Sequence, residues 1–211
     1  MLPSIIPVFP LPNVVLFPGV FLPLHIFEPR YRAMVADTLN GDRLIGMALL
    51  RPGWEQTYDG RPQIYPVGCA GLISHVDKLT DGRYNIVLHG LQKFRITCEE
   101  PGGEYRRAHV DPVVDDVDLD HRTLLRAERR KLEALLLPTL QGQDAPLPAS
   151  LPDDTFVNAL SQYLDFAPIE KQALLEQPSL LDRCKALVEL IEIQNLSARV
   201  STPSSGGSRA H

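Results

Sequence analysis

The stretch VFPLPNVVLFPGVFLPLHIFEPRYRAMV, residues 8–35, constrains the fold more than any other part of the chain. It has no charged residue before Glu28 and is apolar enough for a leader or a membrane span. A signal peptide needs a basic region ahead of its apolar run, and no Lys or Arg precedes Arg30. A spanning helix needs about 20 uninterrupted apolar residues. Pro10, Pro12, Pro18, Pro23 and Pro29 interrupt this one. An interior proline removes a helical hydrogen bond and clashes with the turn before it, at roughly 3 kcal/mol.

Short extended pieces, with proline at bends or on an unpaired edge, satisfy both demands. Val14, Val15, Leu16, Phe17, Val20, Phe21 and Leu22 are β-branched or bulky residues of the kind expected in strands. Glu28, Pro29 and Arg30 then open a helix with proline in its first turn, where a missing N–H does no harm. Tyr31, Met34, Val35 and Leu39 follow at helical spacing, and Asn40-Gly41 stops it. The opening is expected to form the edge and corner of a β domain, with Phe27 and Tyr31 in core and helix packing.

Residues 43–53 read as an apolar strand ended by Pro-Gly, and 63–79 as a longer one bent around Pro66, Gly68 and Gly71. Asp81-Gly82 marks a hairpin. The returning strand, 83–90, puts Tyr84, Ile86 and Leu88 on one face. Gly90 marks a bulge, 91–98 continues with Phe94 and Ile96 inward, and 105–113 is the last strand. Many short strands with glycine corners predict a compact bent sheet or small barrel.

Beyond residue 118 the period becomes helical. Residues 121–140 place Leu125, Leu132 and Leu136 on one stripe, with Arg126, Arg129, Arg130 and Lys131 as the polar face. Residues 142–152 form a proline-rich connection, 153–165 a helix with Phe156, Leu160, Tyr163 and Leu164 on one face, and 169–177 a short helix after Pro168. Ser179 and Asp182 approximate a capping box that opens a helix through about Arg199. Its inward side is Leu180, Cys184, Leu187, Val188 and Ile191. The expected division is a β domain over 1–118, a helical subdomain over 119–200 and a disordered tail over 201–211.

Neither composition nor motifs suggest a catalyst. A formal net charge of −5 lacks the basic excess of a chain that binds by neutralising phosphates. Cys69, Cys98 and Cys184 are far apart and odd in number, and read as reduced thiols of a cytoplasmic protein. Cys69, between Gly68 and Ala70, reads as a small core residue. SHVDK, residues 74–78, gathers triad residue types, but strand alternation puts Ser74, Val76 and Lys78 opposite His75 and Asp77. The acidic run Asp111–Asp120 lacks the glycine and glutamate of a calcium loop, and reads as a solvated linker. The six histidines show no ligand spacing, so no metal and no cofactor is expected.

At this point the chain resembles a known family. IIPVFPLPNVVLFPGVFLPLHIFEPRYRAMV, PVGCAGLI and DGRYNIVLHGLQKFRI are similar to the N-terminal, substrate-binding domain of Lon protease. LPDDTFVNALSQYLDFAPIEKQALLEQPSLLDRCKALVELI resembles the helical subdomain that follows the sheet in bacterial Lon. The resemblance covers roughly residues 5–199, in order and spacing. It implies an α+β fold, a PUA-like bent β-barrel followed by helices, and recognition without cutting. The ATPase and Ser–Lys protease modules of Lon have no counterpart here, and no Gly-Lys dipeptide exists for a P-loop.

Two binding readings follow. In the first, a bent sheet with an open edge and a shallow apolar groove engages unfolded or partly folded protein segments, working beside a protease or chaperone. Loop 51–65 holds the only tryptophan, Trp54, with Tyr58 and Tyr65, the three protein-contact candidates. Trp54 either anchors a partner or folds back as a lid on the core. In the second, Lys93, Arg95, Arg106 and Arg107 form a basic patch for RNA on the PUA-like fold. Against it stand the acidic balance and the lack of a stacking platform, so these four read better as solvated outward positions. Neither DNA nor a membrane is an expected partner.

Overall fold

A computed structural model describes residues 2–58, 60–115, 119–140 and 151–201. Six strands form one sheet: β1 Ile5–Leu11, β2 Phe21–Ile26, β3 Leu44–Leu49, β4 Val67–Lys78, β5 Tyr84–Glu99 and β6 Arg106–Val113. Their order is β2-β5-β4-β3-β1-β6, and a further β5–β6 pairing closes the ring into a bent barrel. Closure depends on β5, whose 16 residues pair with β4 along one edge and with two strands in turn along the other. Its first half pairs with β2, from Tyr84 opposite Ile26 to His89 opposite Phe21. Its second half pairs with β6, from Lys93 opposite Val113 to Glu99 opposite Ala108. The register slips between Gly90 and Gln92, so the bulge predicted at Gly90 lies where the strand changes partners.

The proline-rich opening supplies β1, an edge strand β2 and helix α1, Pro29–Leu39. Pro29 occupies the first turn and Asn40 the C-cap, as expected. Val14–Phe17 depart from expectation: they form no strand. Pro12 and Pro18 bracket them and withhold ladder donors, and Val15, Leu16 and Phe17 sink into the core as an extended plug. The Phe17 N–H donates to Gln162 Oε1 at 3.1 Å. Phe27 also departs. It is 60% exposed and lies near His25, because alternation along β2 turns Leu22, Leu24 and Ile26 inward and Phe27 outward. Tyr31 is buried as expected.

Inside the barrel, Ile6, Val8, Ala48, Ala70, Ala108 and Val110 surround Phe94. Gly46 and Gly68 make the room. A Cβ on Gly68 would lie 2.6 Å from the Phe94 ring and 2.3 Å from the Met47 carbonyl.

Four helices follow: α2 Leu119–Leu140, α3 Asp153–Tyr163, α4 Pro168–Leu175 and α5 Leu180–Ser201. The predicted leucine stripe of α2 is buried. In α3, Phe156 is buried but Tyr163 is 66% exposed, with its hydroxyl donating to the Phe21 carbonyl. Ser179 caps α5 as predicted: the Asp182 N–H donates to Ser179 Oγ at 3.1 Å, and that hydroxyl donates to Asp182 Oδ2 at 2.6 Å. The connection 142–150 and the tail from 202 lie outside the described residues. No described helix is long and apolar enough to cross a membrane.

Candidate functional site

Several residues read as outward or solvated are buried. Lys93 is 2% exposed, and Arg183, to which the sequence assigned no role, is fully covered. Both grip Asp115, in the acidic run read as a solvated linker. Lys93 Nζ lies 2.5 Å from Asp115 Oδ1, and the Arg183 fork donates to both Asp115 oxygens at 3.1 Å. Arg183 also donates to Asn158 Oδ1 and the Leu174 carbonyl, and Lys93 to the Gln177 carbonyl. Burial pulls the Lys93 ammonium below its usual range; the Asp115 hydrogen bond opposes the shift and Arg183 adds to it. This ionic joint ties β5 to α3, α4 and α5.

Arg106, 7% exposed, is also an internal anchor, donating to both Glu99 oxygens and to the Pro62 carbonyl. Arg129 likewise leaves the polar face of α2, to pair with Glu133 and Asp153 and stack on Phe156. The proposed RNA patch therefore loses Lys93 and Arg106. Arg95 and Arg107 stay exposed, and Arg107 pairs with Glu100 at 3.4 Å.

The triad-like SHVDK also differs in detail. A register shift between Ile73 and His75 leaves Ser74 outside the ladder, so strict alternation fails there. The Ser74 hydroxyl donates to the Val87 carbonyl at 3.0 Å. Among the described residues, no group of three or more His, Cys, Asp or Glu could hold a metal ion.

Cys69 is fully buried, and burial pushes its thiol up to about 12. Cys184 is raised to about 12 by the same cause, whereas Cys98 is exposed. Thiolate is the reactive form. A neutral alkylating reagent is therefore expected to modify Cys98 alone in the native protein, and Cys69 and Cys184 only after unfolding; mass spectrometry of the labelled chain checks this.

The aromatic loop is the best-built surface feature. Gly53, at φ +87, turns the chain left-handed after β3 and starts the 3-10 turn Trp54–Thr57. Trp54 is half-buried. With Tyr65, Pro12, Leu50, Pro168 and Ile169 it lines an apolar groove of about 190 Å³. Pro168 and Ile169 begin α4, so the groove is shared between the barrel and the helices. Ile169 is 49% exposed there. Arg51 lies over the Tyr65 ring at 5.1 Å and holds that wall in place.

Tyr58 is placed differently. Its ring meets Trp54 edge-on at 5.4 Å, Arg30 lies 4.9 Å over it, and its hydroxyl donates to Glu28 Oε1 at 2.5 Å. Trp54 and Tyr65 thus share the groove, while Tyr58 straps the loop to the start of α1. Sequence reasoning missed Ile169 and Pro12 as groove walls. Both are apolar residues beside loop-forming prolines, but 157 positions separate them.

Three comparisons place the chain. The family model of the ATP-dependent protease La (LON) substrate-binding domain matches residues 5–192. Lon protease 2 of Myxococcus xanthus is 29% identical over 217 residues, spanning 97% of this chain and 26% of that protein. Lon protease 2 of Syntrophobacter fumaroxidans is 30% identical over 191 residues, 84% of this chain and 23% of that protein. The chain therefore spans about a quarter of the length of these relatives.

Among solved structures, the N-terminal domain of Mycobacterium avium complex Lon protease superposes with a TM-score of 0.68 at 17% identity, covering 89% of this chain and 98% of that one. A Lon N-terminal domain protein from Xanthomonas campestris gives 0.59 at 22%, covering 88% and 98%. Fold and family agree with the resemblance carried by the proline-rich opening and the strands after it: the chain belongs to the LON substrate-binding domain family.

Proposed function

We propose that this chain is a non-catalytic recognition module that holds unfolded or partly folded protein segments in the groove between loop 51–65 and the start of α4. The observation that carries the reading is that groove: Trp54 and Tyr65 on one wall, a half-exposed Ile169 on the other, in a family of substrate-binding domains. Unfolded chains differ from folded ones chiefly in exposing apolar side chains. A shallow apolar slot with rigid aromatic walls accepts such side chains with little sequence preference. Within these 211 residues no P-loop sequence exists. Cutting, if it follows recognition, falls to a protease or chaperone-type partner, and a cytoplasmic setting suits the free thiols. We also propose that the barrel, over 1–118, and the helices, over 119–200, act as two parts held by the Asp115 joint.

Retention tests the reading. The immobilised chain is expected to retain a casein-type unfolded protein, and Trp54→Ala to weaken retention at least fivefold, since a central aromatic anchor contributes about 1–2 kcal/mol. Retention of RNA instead, lost steeply with salt, would contradict it.

A further inference from the structure

Beside Arg30, which lies over the Tyr58 ring, is a second pocket, of about 270 Å³, whose charge is unlike that of the groove. Arg30, Arg61 and Arg106 line it, and Glu104, exposed at the rim, is the one lining carboxylate among the described residues. The three arginines are not equally neutralised. Arg30 pairs with Glu28 at 2.9 Å, and Arg106 is held by Glu99. Arg61 is exposed, and among the described residues backbone carbonyls alone hold it: Nη1 donates to the Glu100 carbonyl at 2.6 Å and Nη2 to that of Gly102. Carbonyls orient a guanidinium without cancelling its charge. The guanidinium is thus oriented, with Nε unused and no carboxylate paired to it among the described residues, so its charge is available to an oxyanion. Burial lowers Arg106 from its usual value; Glu99 opposes this, and the positive charges of Arg61 and Arg30 add to it.

We propose that this pocket takes an acidic side chain of the same polypeptide segment whose apolar side chain occupies the groove. The inference rests on the recognition reading above and adds a charge requirement to it. Trp54 meets Tyr58 at 5.4 Å and Arg30 lies 4.9 Å over the same ring, so Trp54 and Arg30 are within reach of about three residues of extended chain at roughly 3.3 Å each. An unfolded segment offers internal carboxylates along its whole length but only one chain end, which favours the side chain as the occupant. The pocket selects apolar stretches flanked by Asp or Glu over those flanked by amides or bases.

Two end-blocked fluorescent peptides test this, identical and rich in aromatic and aliphatic residues except for Glu or Gln three positions from the central aromatic. Fluorescence polarisation with the full chain should show the Glu peptide bound five- to tenfold tighter. Arg61→Ala, an exposed change with no core to disturb, should remove that preference, so that the Glu and Gln peptides bind equally. Arg61→Lys should restore it only in part, because the fork is lost. Equal binding of both peptides, still weakened by Trp54→Ala, would overturn the pocket and leave the groove intact. Displacement of the Glu peptide by inorganic phosphate at equal concentration would assign the pocket to a free anion and also overturn it. Binding of neither peptide would overturn the groove reading and the pocket with it.

Discussion

Replacing Arg183 by leucine is expected to lower the free energy of unfolding by about 3–5 kcal/mol, the effect of removing one partner from a buried ion pair. Arg183 has no exposed surface and satisfies three groups at once: the Asp115 carboxylate, Asn158 Oδ1 at 2.8 Å and the Leu174 carbonyl at 3.0 Å. A leucine fills part of the volume and supplies no donor. Asp115 would keep Lys93 alone, Asn158 Oδ1 would lose its Arg183 donor, and the Leu174 carbonyl would keep only the Gln177 N–H at 3.3 Å. Asp115→Asn should cost at least as much, because it leaves the buried Lys93 and Arg183 charges facing each other without the carboxylate that both grip. Urea denaturation checks both, and the order of the two losses separates a shared ionic joint from a simple packing effect. A loss below about 1 kcal/mol for Arg183→Leu would mean that water reaches the site.

Phe94→Ala should be equally severe, about 3–5 kcal/mol, by a different route. The ring is the largest side chain within the barrel, and Gly46 and Gly68 leave it space that no neighbour can take over. The walls cannot collapse into the cavity because the strands form a closed ring, with β5 bonded to β4 on one side and β6 on the other. Transfer and cavity terms therefore both count in full. Phe94→Leu, retaining much of the volume, should recover more than half of the loss.

The parts legible from sequence were those with local causes. Proline in the first turn of α1, the Asp81-Gly82 turn and the Ser179 cap each depend on residues within four positions of one another, and all three are present. The alternation of Tyr84, Ile86 and Leu88 needs only the two-residue period of a strand. Long-range pairing left no such mark. Lys93, Asp115 and Arg183 span 91 positions, and any one of them alone reads as a solvated charge. Arg106 was misread for the same reason: its partners Glu99 and Pro62 reach it only after β5 meets β6 and the loop folds over. Phe27 was a different failure. The inward set Leu22, Leu24 and Ile26 already placed it outward by parity, but its position just before a helix drew it into helix packing instead. In the groove, the aromatic loop was visible as composition, but its opposite wall came from α4 and could not be foreseen.

Trp54 is the only tryptophan, so its emission reports the groove without a label. Titrating the native chain with a permanently unfolded polypeptide should shift that emission to shorter wavelength in a saturable way, as water leaves the indole. The same polypeptide should bind Trp54→Ala at least fivefold more weakly in a parallel polarisation titration. An emission spectrum that stays unchanged while the polypeptide binds both proteins equally would place recognition elsewhere on the molecule and contradict the account.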